Sequence, residues 1–366
     1  MIYFLINNDY HLDMDLKLAK QLSTYKLGLI QIPYSLNIVK ESSVFSTIFC
    51  FRERIIASLF NILFKPFNIF SIQKKIDHTL KPKSNDILLV HTDIDLTNQY
   101  IIQIFYKSKA RIYLLEDGTA TMCTYNLQPQ RAPLKDRFRA QILRKFYKFN
   151  NTKYAIFGEQ IIPVMDDSLF TGIIVNFGNS ILRNIPVYKL TPFIEPINII
   201  YKSGAIFFSQ ALYLWYLSEK EYIDYIDNVL VISKRFDHFF FKFHPSEDVK
   251  VKTSIEEMIC TKYSNIEIIL ENDFAEKIIS KFQVQYAITF NSTSALNLIN
   301  KGIIPIFLNN LLNISFPNST FTSFEHFLKS INCQAPLSLS EVKPGFSAFP
   351  DEISKTETYS LIDILK

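Results

Sequence analysis

Only eight glycines punctuate this chain of 366 residues, and they form neither a G-x-G-x-x-G nor a G-x-x-x-x-G-K pattern. The phosphate cradles that glycine-rich loops build, for dinucleotides and for P-loop nucleotides, are therefore not encoded, and a phosphate needs another kind of site. Cysteine is equally scarce. Cys50, Cys123, Cys260 and Cys333 lie far apart, without a C-x-x-C pair for zinc or redox work, and read as free thiols of a reducing cytoplasm. No run reaches the roughly 18 to 20 apolar residues that span a bilayer; the best, Ile55 to Phe64, is cut by Lys65 and Pro66. The opening segment, Met1 to Asn7, lacks the basic start of a signal peptide and reads as a first strand. A strong excess of one charge is missing too: a net +4 with a pI near 8.6 fits an anionic substrate or membrane surface and is too weak to imply nucleic acid.

What is abundant is apolar. At 48% hydrophobic and 14% aromatic residues, the chain can fill two cores, the expected number for this length. In the first half, apolar runs at Ile2–Asn7, Leu27–Ile32, Asp86–His91, Ile112–Leu115, Tyr154–Phe157 and Gly172–Phe177 read as strands, with helical spacing after Asp9 and over Leu96–Tyr106. Residues 43–75 mix bulky apolar side chains with cations, and a helix there either lies on an anionic surface or packs on the sheet. Arg131 to Lys148 carries seven cations, a face for acidic lipid or glycolipid or simply a solvated one.

Residues 184–202 contain Pro186, Pro192 and Pro196 without a clear period and read as a linker. The pattern then restarts with strands at Ala205–Phe208, Phe239–Phe243, Ile266–Leu270, Val284–Phe290 and Ile303–Leu308, and with a capping box at Ser218 and Glu221. The implied domains are 1–190 and 203–335, followed by a tail over 336–366 that ends in a short apolar helix.

Polar residues gather where strands end, the side of a parallel sheet where ligands bind. Glu116, Asp117 and Gly118 follow one strand: two acids beside a residue that permits close approach, able to polarise a hydroxyl, bind a metal or cap the next segment. His244 and Pro245 follow another, and the imidazole there can donate to a leaving phosphate. Asn291, Ser292, Thr293 and Ser294 open a helix, where hydroxyls and free N–H groups suit an anion or merely cap the helix. Asn7, Asn8 and His11 sit in the first loop as acceptor-side candidates. Asp93-x-Asp95 and Asp13-x-Asp15 match the loose D-x-D pattern of metal-dependent transferases, and Asp166–Asp167 is a further acidic pair.

In that order, Glu116-Asp117-Gly118, His244-Pro245 and Ser292-Thr293-Ser294 resemble the D/E-D/E-G, HP and Ser/Thr motifs of the bacterial sialyltransferases, in particular the lipooligosaccharide sialyltransferases and capsular polysialyltransferases. The resemblance implies a GT-B architecture, an α/β fold of two Rossmann-like parallel-sheet domains facing a cleft. It implies CMP-sialic acid as donor, a glycan or glycolipid as acceptor, no metal or other cofactor, a cytoplasmic location with peripheral membrane contact, and a homodimer. Asp117 would be the general base and His244 would assist departure of CMP. Pro245, Ser292, Thr293, Ser294, Glu276 and Gln210 would hold the donor, with Glu116 and Gly118 on the acceptor side. Alternatives stay open: another donor such as CMP-Kdo or a UDP-sugar, a sugar-nucleotide epimerase, or a non-catalytic peripheral membrane assembly protein.

Overall fold

The computed structural model describes residues 1–7, 9–22, 25–32, 43–51, 53–55, 66–116, 134–157, 160–176, 183–191, 195–214, 216–311, 328–329, 331, 333–348 and 358–366. The chain divides into two compact units, Met1–Thr191 with Glu357–Lys366, and Pro192–Thr356. Residues 336–366, read above as one tail, are thus shared between the two.

In the first unit the elements run β1 (Ile2–Ile6), α1 (Asp9–Gln21), β2 (Leu27–Gln31), β3 (Thr47–Cys50), α2 (Pro66–Thr79), β4 (Ile87–Val90), α3 (Leu96–Lys107), β5 (Arg111–Leu115), α4 (Leu134–Tyr147), β6 (Thr152–Phe157), β7 (Gln160–Met165), β8 (Gly172–Val175) and β9 (Val187–Lys189). Seven strands form a parallel sheet in the order β3-β2-β1-β4-β5-β8-β9, while β6 and β7 pair antiparallel as a separate hairpin. The central strands β1, β4 and β5 are almost uniformly buried, as both-face coverage by helices demands, which is why they read as unbroken apolar runs.

Two expectations are corrected here and one strand is added. Residues 43–75 are not one helix: Thr47–Cys50, in which Thr47, Ile48 and Phe49 favour a strand, add an edge strand, and a helix starts at Pro66, where a missing N–H costs nothing. The stretch 184–202 is not all linker, since Val187–Lys189 extends the sheet and Tyr201 already begins the next strand. Gln160–Met165 adds a hairpin strand that the sequence reading lacked.

The second unit runs β10 (Tyr201–Phe208), α5 (Glu219–Leu230), β11 (His238–Lys242), α6 (Val249–Lys262), β12 (Ile266–Ile269), α7 (Ala275–Phe282), β13 (Val284–Thr289), α8 (Thr293–Asn297) and β14 (Ile304–Phe307). Its five strands are parallel in the order β12-β11-β10-β13-β14. The expected capping box opens α5: the Ser218 side chain accepts from Glu221 N–H while the Glu221 carboxylate accepts from Ser218 N–H. Gly302, at φ 79°, closes the turn after α8 in the left-handed region, a conformation that costs glycine little.

Two aromatic-rich cores hold the units. In the second, Phe207 stacks on Phe241 at 5.5 Å and meets Phe290 edge-on at 5.4 Å, beneath α5 and α6. In the first, the short helix α9 (Leu361–Leu365) adds Leu361, Ile364 and Leu365 to a core shared with residues of β1, β2 and β5, and Arg111 Nη2 donates to the Leu365 carbonyl at 2.6 Å.

Candidate active site

Each sheet reverses its strand order beside its first strand, at β1/β4 in one unit and β10/β13 in the other. Chains leave the two sides of such a point in opposite directions and open a crevice at the strands' carboxyl ends.

In the second unit that edge carries, strand by strand, the residues singled out from sequence. Gln210, just past β10, binds across the switch point to the loop after β13. Its Nε2 donates to Asn291 Oδ1 at 2.7 Å, and its Oε1 accepts from Asn291 N–H at 2.7 Å and from Thr289 Oγ1 at 3.2 Å. Ser292 then caps α8 by accepting from Ser294 N–H at 3.3 Å. On the other side of β10, β11 delivers His244 and Pro245 into a tight turn. Glu276 lies in the first turn of α7, buried, next along the edge after β12.

His244 is held by its neighbours rather than by its ring alone. Its N–H donates to Ser209 Oγ at 2.9 Å and to Glu247 Oε2 at 3.2 Å. Glu247 is buried and also accepts from Ser209 Oγ at 3.1 Å and from the fully buried Tyr222 hydroxyl. Burial pushes the Glu247 carboxyl above its ordinary range, against the pull of those donors. The His244 ring Nδ1 lies 2.6 Å from Ser246 Oγ and accepts from Ser246 N–H at 3.2 Å. With Nδ1 occupied as an acceptor, the neutral ring carries its hydrogen on Nε2, which is then the donor left to offer a ligand. Desolvation first, then the charges of Lys242 and Lys252, lower the His244 pKa below its ordinary value, so the ring is neutral at pH 7 in a locally positive field.

In the first unit, Glu116 ends β5 and its Oε2 accepts from Asn176 N–H at 2.6 Å, tying the ends of β5 and β8 together. Asp117, Gly118 and Asn8 lie outside the described residues. Asn7 and His11 are buried at the β1/β4 switch point. Asn7 and Asn98 exchange side-chain hydrogen bonds at 3.1 and 2.8 Å, and Asn7 N–H donates to His11 Nδ1 at 3.4 Å. His11 stacks on His91 at 4.2 Å, and His91 Nε2 bonds Asp15 at 2.8 Å. Both acids of the Asp93-x-Asp95 match have structural partners. Asp95 caps α3 through Thr97 N–H and Asn98 N–H, and Asp93 pairs with Arg183 at 2.9 Å. Among the described residues no group of three His, Cys, Asp or Glu side chains is arranged to hold a metal ion.

The model of the family described as alpha-2,8-polysialyltransferase (POLYST) matches residues 58–300, well over half of the chain. The chain belongs to this family. As a member of the alpha-2,8-polysialyltransferase family it is a glycosyltransferase, and the match spans every motif residue from Glu116 to Ser294 while leaving Asn7, Asn8 and His11 outside it. No curated protein matches this family member in sequence. Its fold is similar to that of Glycyrrhiza uralensis UGT73P12, solved with glycyrrhetinic acid 3-O-monoglucuronide, at TM-score 0.50, 11% identity, and 99% and 85% coverage of the two chains. The Methanocaldococcus jannaschii UDP-GlcNAc 2-epimerase, solved with UDP-GlcNAc and UDP, superposes at TM-score 0.50 with 9% identity and covers 95% and 94%. The architecture is GT-B, two Rossmann-like α/β units.

Sequence reasoning on this POLYST-family chain passed over Ser209, Tyr222 and Glu247, which build the seat of the His-Pro turn. The signal was available for Glu247: an acid three residues after His244, directly before the cap Asp248 of α6.

Proposed function

We propose that the protein is an inverting sialyltransferase that moves sialic acid from CMP-sialic acid to a sugar hydroxyl of a surface glycan such as lipooligosaccharide, O-antigen or capsule. In this reading the acceptor oxygen attacks the anomeric carbon while the bond from that carbon to the CMP phosphate oxygen breaks, and direct attack inverts the configuration. Asp117 takes the acceptor proton. The partner acid Glu116 is occupied by Asn176 N–H, which favours Asp117 for the role. His244 Nε2–H donates to the departing phosphate. Its lowered pKa favours this hydrogen-bonding role over full proton transfer in the resting enzyme. Pro245 shapes the turn, Ser292, Thr293 and Ser294 receive the phosphate oxygens, Gln210 holds their loop through Asn291, and Glu276 binds the ribose hydroxyls. A nucleoside monophosphate carries less charge than a diphosphate, so these donors and the Lys242 and Lys252 field offset it without a resident metal.

The observation that carries the reading is the His244 turn. It sits one strand from the Gln210–Asn291 bridge at a switch point and presents a neutral Nε2 donor in a positive field, inside the segment that matches the family. The test is CMP release from CMP-sialic acid with glycan acceptors, for wild type and for folded Asp117→Ala and His244→Ala. Loss of about 100-fold or more in both variants is expected of acid–base and leaving-group assistance. Turnover only with CMP-Kdo or a UDP-sugar would keep the enzyme class and overturn the donor; undiminished transfer by both variants would overturn the site.

A further inference from the structure

Helices α2 and α4 lie side by side: Phe70 packs on Tyr147 at 5.0 Å between ring centres, and Gln73 Nε2 donates to the Tyr147 carbonyl at 2.8 Å. Each helix buries one face. In α4, Ala140, Leu143 and Tyr147 point inward, and in α2 Ile69, Ile72 and Ile76 do the same. A surface helix normally turns charged or polar residues outward. Here, Leu134, Phe138, Gln141 and Lys145 follow spacings of four, three and four residues, which is one line along the outer face of α4. Leu134 is 80% exposed and Phe138 53%, Phe146 on the flank is 59% exposed, and across the seam Phe67 and Phe70 are 84% and 46% exposed. A single exposed apolar side chain is ordinary; five large ones on two touching helices are not.

Cations surround them. The two helices hold seven Lys and Arg residues against two acids, an excess larger than the +4 of the whole chain. Among the described residues, Lys74, Lys75, Lys135, Arg137 and Lys145 are exposed and form no ion pair, so their charge is available to an outside partner. A protein partner would need an acidic face with apolar pits spread over two helices. A bilayer containing anionic lipid supplies both requirements at once: negative headgroups for the cations, and an acyl boundary that long apolar side chains enter in the plane of the surface.

We infer that α2 and α4 form a docking face for an anionic membrane surface, with Phe67, Leu134 and Phe138 entering the interface and Lys74, Lys75, Lys135, Arg137 and Lys145 contacting the headgroups. The inference does not depend on which donor sugar the enzyme uses. The described residues contain no helix long and apolar enough to cross a membrane; the contact inferred for α2 and α4 is one of lying on the surface.

The experiment is sedimentation of the whole chain with vesicles of pure phosphatidylcholine and of phosphatidylcholine mixed with phosphatidylglycerol, at low and high salt, alongside its oligomeric state by light scattering. Two variants accompany it: one carrying Lys74→Gln, Lys75→Gln, Lys135→Gln, Arg137→Gln and Lys145→Gln, and one carrying Phe67→Ser, Leu134→Ser and Phe138→Ser. All eight substitutions are at exposed positions, and unchanged melting verifies the fold. The mixed vesicles bind wild type, salt releases it, and each cation removed weakens binding about fivefold. The apolar variant binds less at every lipid composition. Equal binding to both vesicle types, or none to either, overturns the inference. So does an apolar variant that keeps its lipid affinity while a wild-type dimer falls to monomer, which would assign the face to a second copy.

Discussion

Glu247→Ala is the most informative single change in the second unit. The carboxylate accepts from the Tyr222 hydroxyl, from Ser209 Oγ and from His244 N–H. Removing it leaves the His244 amide still bonded to Ser209 Oγ, so two buried hydroxyls lose their acceptor. At roughly 1–3 kcal/mol for each buried donor left unmade, the loss is about 3–5 kcal/mol with the vacated side-chain volume included. For a unit of this size that lowers the melting temperature by about 10 °C. Glu247→Gln keeps one acceptor oxygen, and its amide can donate to Ser209, so about 1–2 kcal/mol is expected. The pH dependence separates this account from a general packing loss. Burial raises the folded-state pKa of Glu247 above its ordinary 4.5. Its contribution to stability is therefore full below about 4.5 and is lost as pH rises through the raised value. Glutamine does not ionise, so the gap in melting temperature between wild type and Glu247→Gln narrows as pH climbs. Thermal melts across that window, paired with CMP release, are the assay. A Glu247→Ala variant that melts within about 2 °C of wild type would refute the reasoning, as would a Gln gap that widens with pH.

The His244 ring, followed by NMR without ligand, should titrate below its ordinary 6.5 because desolvation and the two lysines disfavour the cation; added CMP should raise the midpoint, and a free-state midpoint at or above 6.5 would refute the described surroundings. Gln210→Ala removes the three side-chain bonds from Gln210 to Asn291 and Thr289, and calorimetry should show CMP affinity lowered about tenfold, whereas unchanged affinity would detach that loop from the donor site. Arg183 is buried between Asp93 and Asp167 and also donates to the Met165 carbonyl. Arg183→Ala should cost about 3–5 kcal/mol by leaving Asp93 a buried charge with one remaining donor, Met165 N–H. Denaturant melts should find the double variant with Asp93→Ala less damaged than the single one, and equal damage would refute the pairing.

The inner parallel strands were legible because strands buried on both faces read as unbroken apolar runs, as Phe239 to Phe243 does. The capping box at Ser218 and the stop at Gly302 were legible because their chemistry is local. Val249–Lys262 was not seen as a helix because only Val251, Ile255 and Ile259 face inward, leaving charged and small residues to dominate the pattern. Val187–Lys189 was hidden by its brevity and by the prolines around it. At the candidate site, His244, Gln210 and Ser292 could be named from sequence because they follow strands directly. Their support could not: Tyr222 lies on another element, and only tertiary contact brings it to Glu247. The D-x-D matches show the converse, since Asp93 and Asp95 are aligned by an ion pair and a helix start, demands that a three-residue pattern does not distinguish from metal binding.

The placement of α9 bears on the order in which the chain can be made. The first unit comprises Met1–Thr191 and Glu357–Lys366, and the second is the uninterrupted stretch between them. During synthesis, all five strands of the second sheet have emerged before Leu361, Ile364 and Leu365 exist, although the first sheet was translated earlier. The first unit is thus the last to complete its core, and until then the part of that core that Leu361, Ile364 and Leu365 fill stays open.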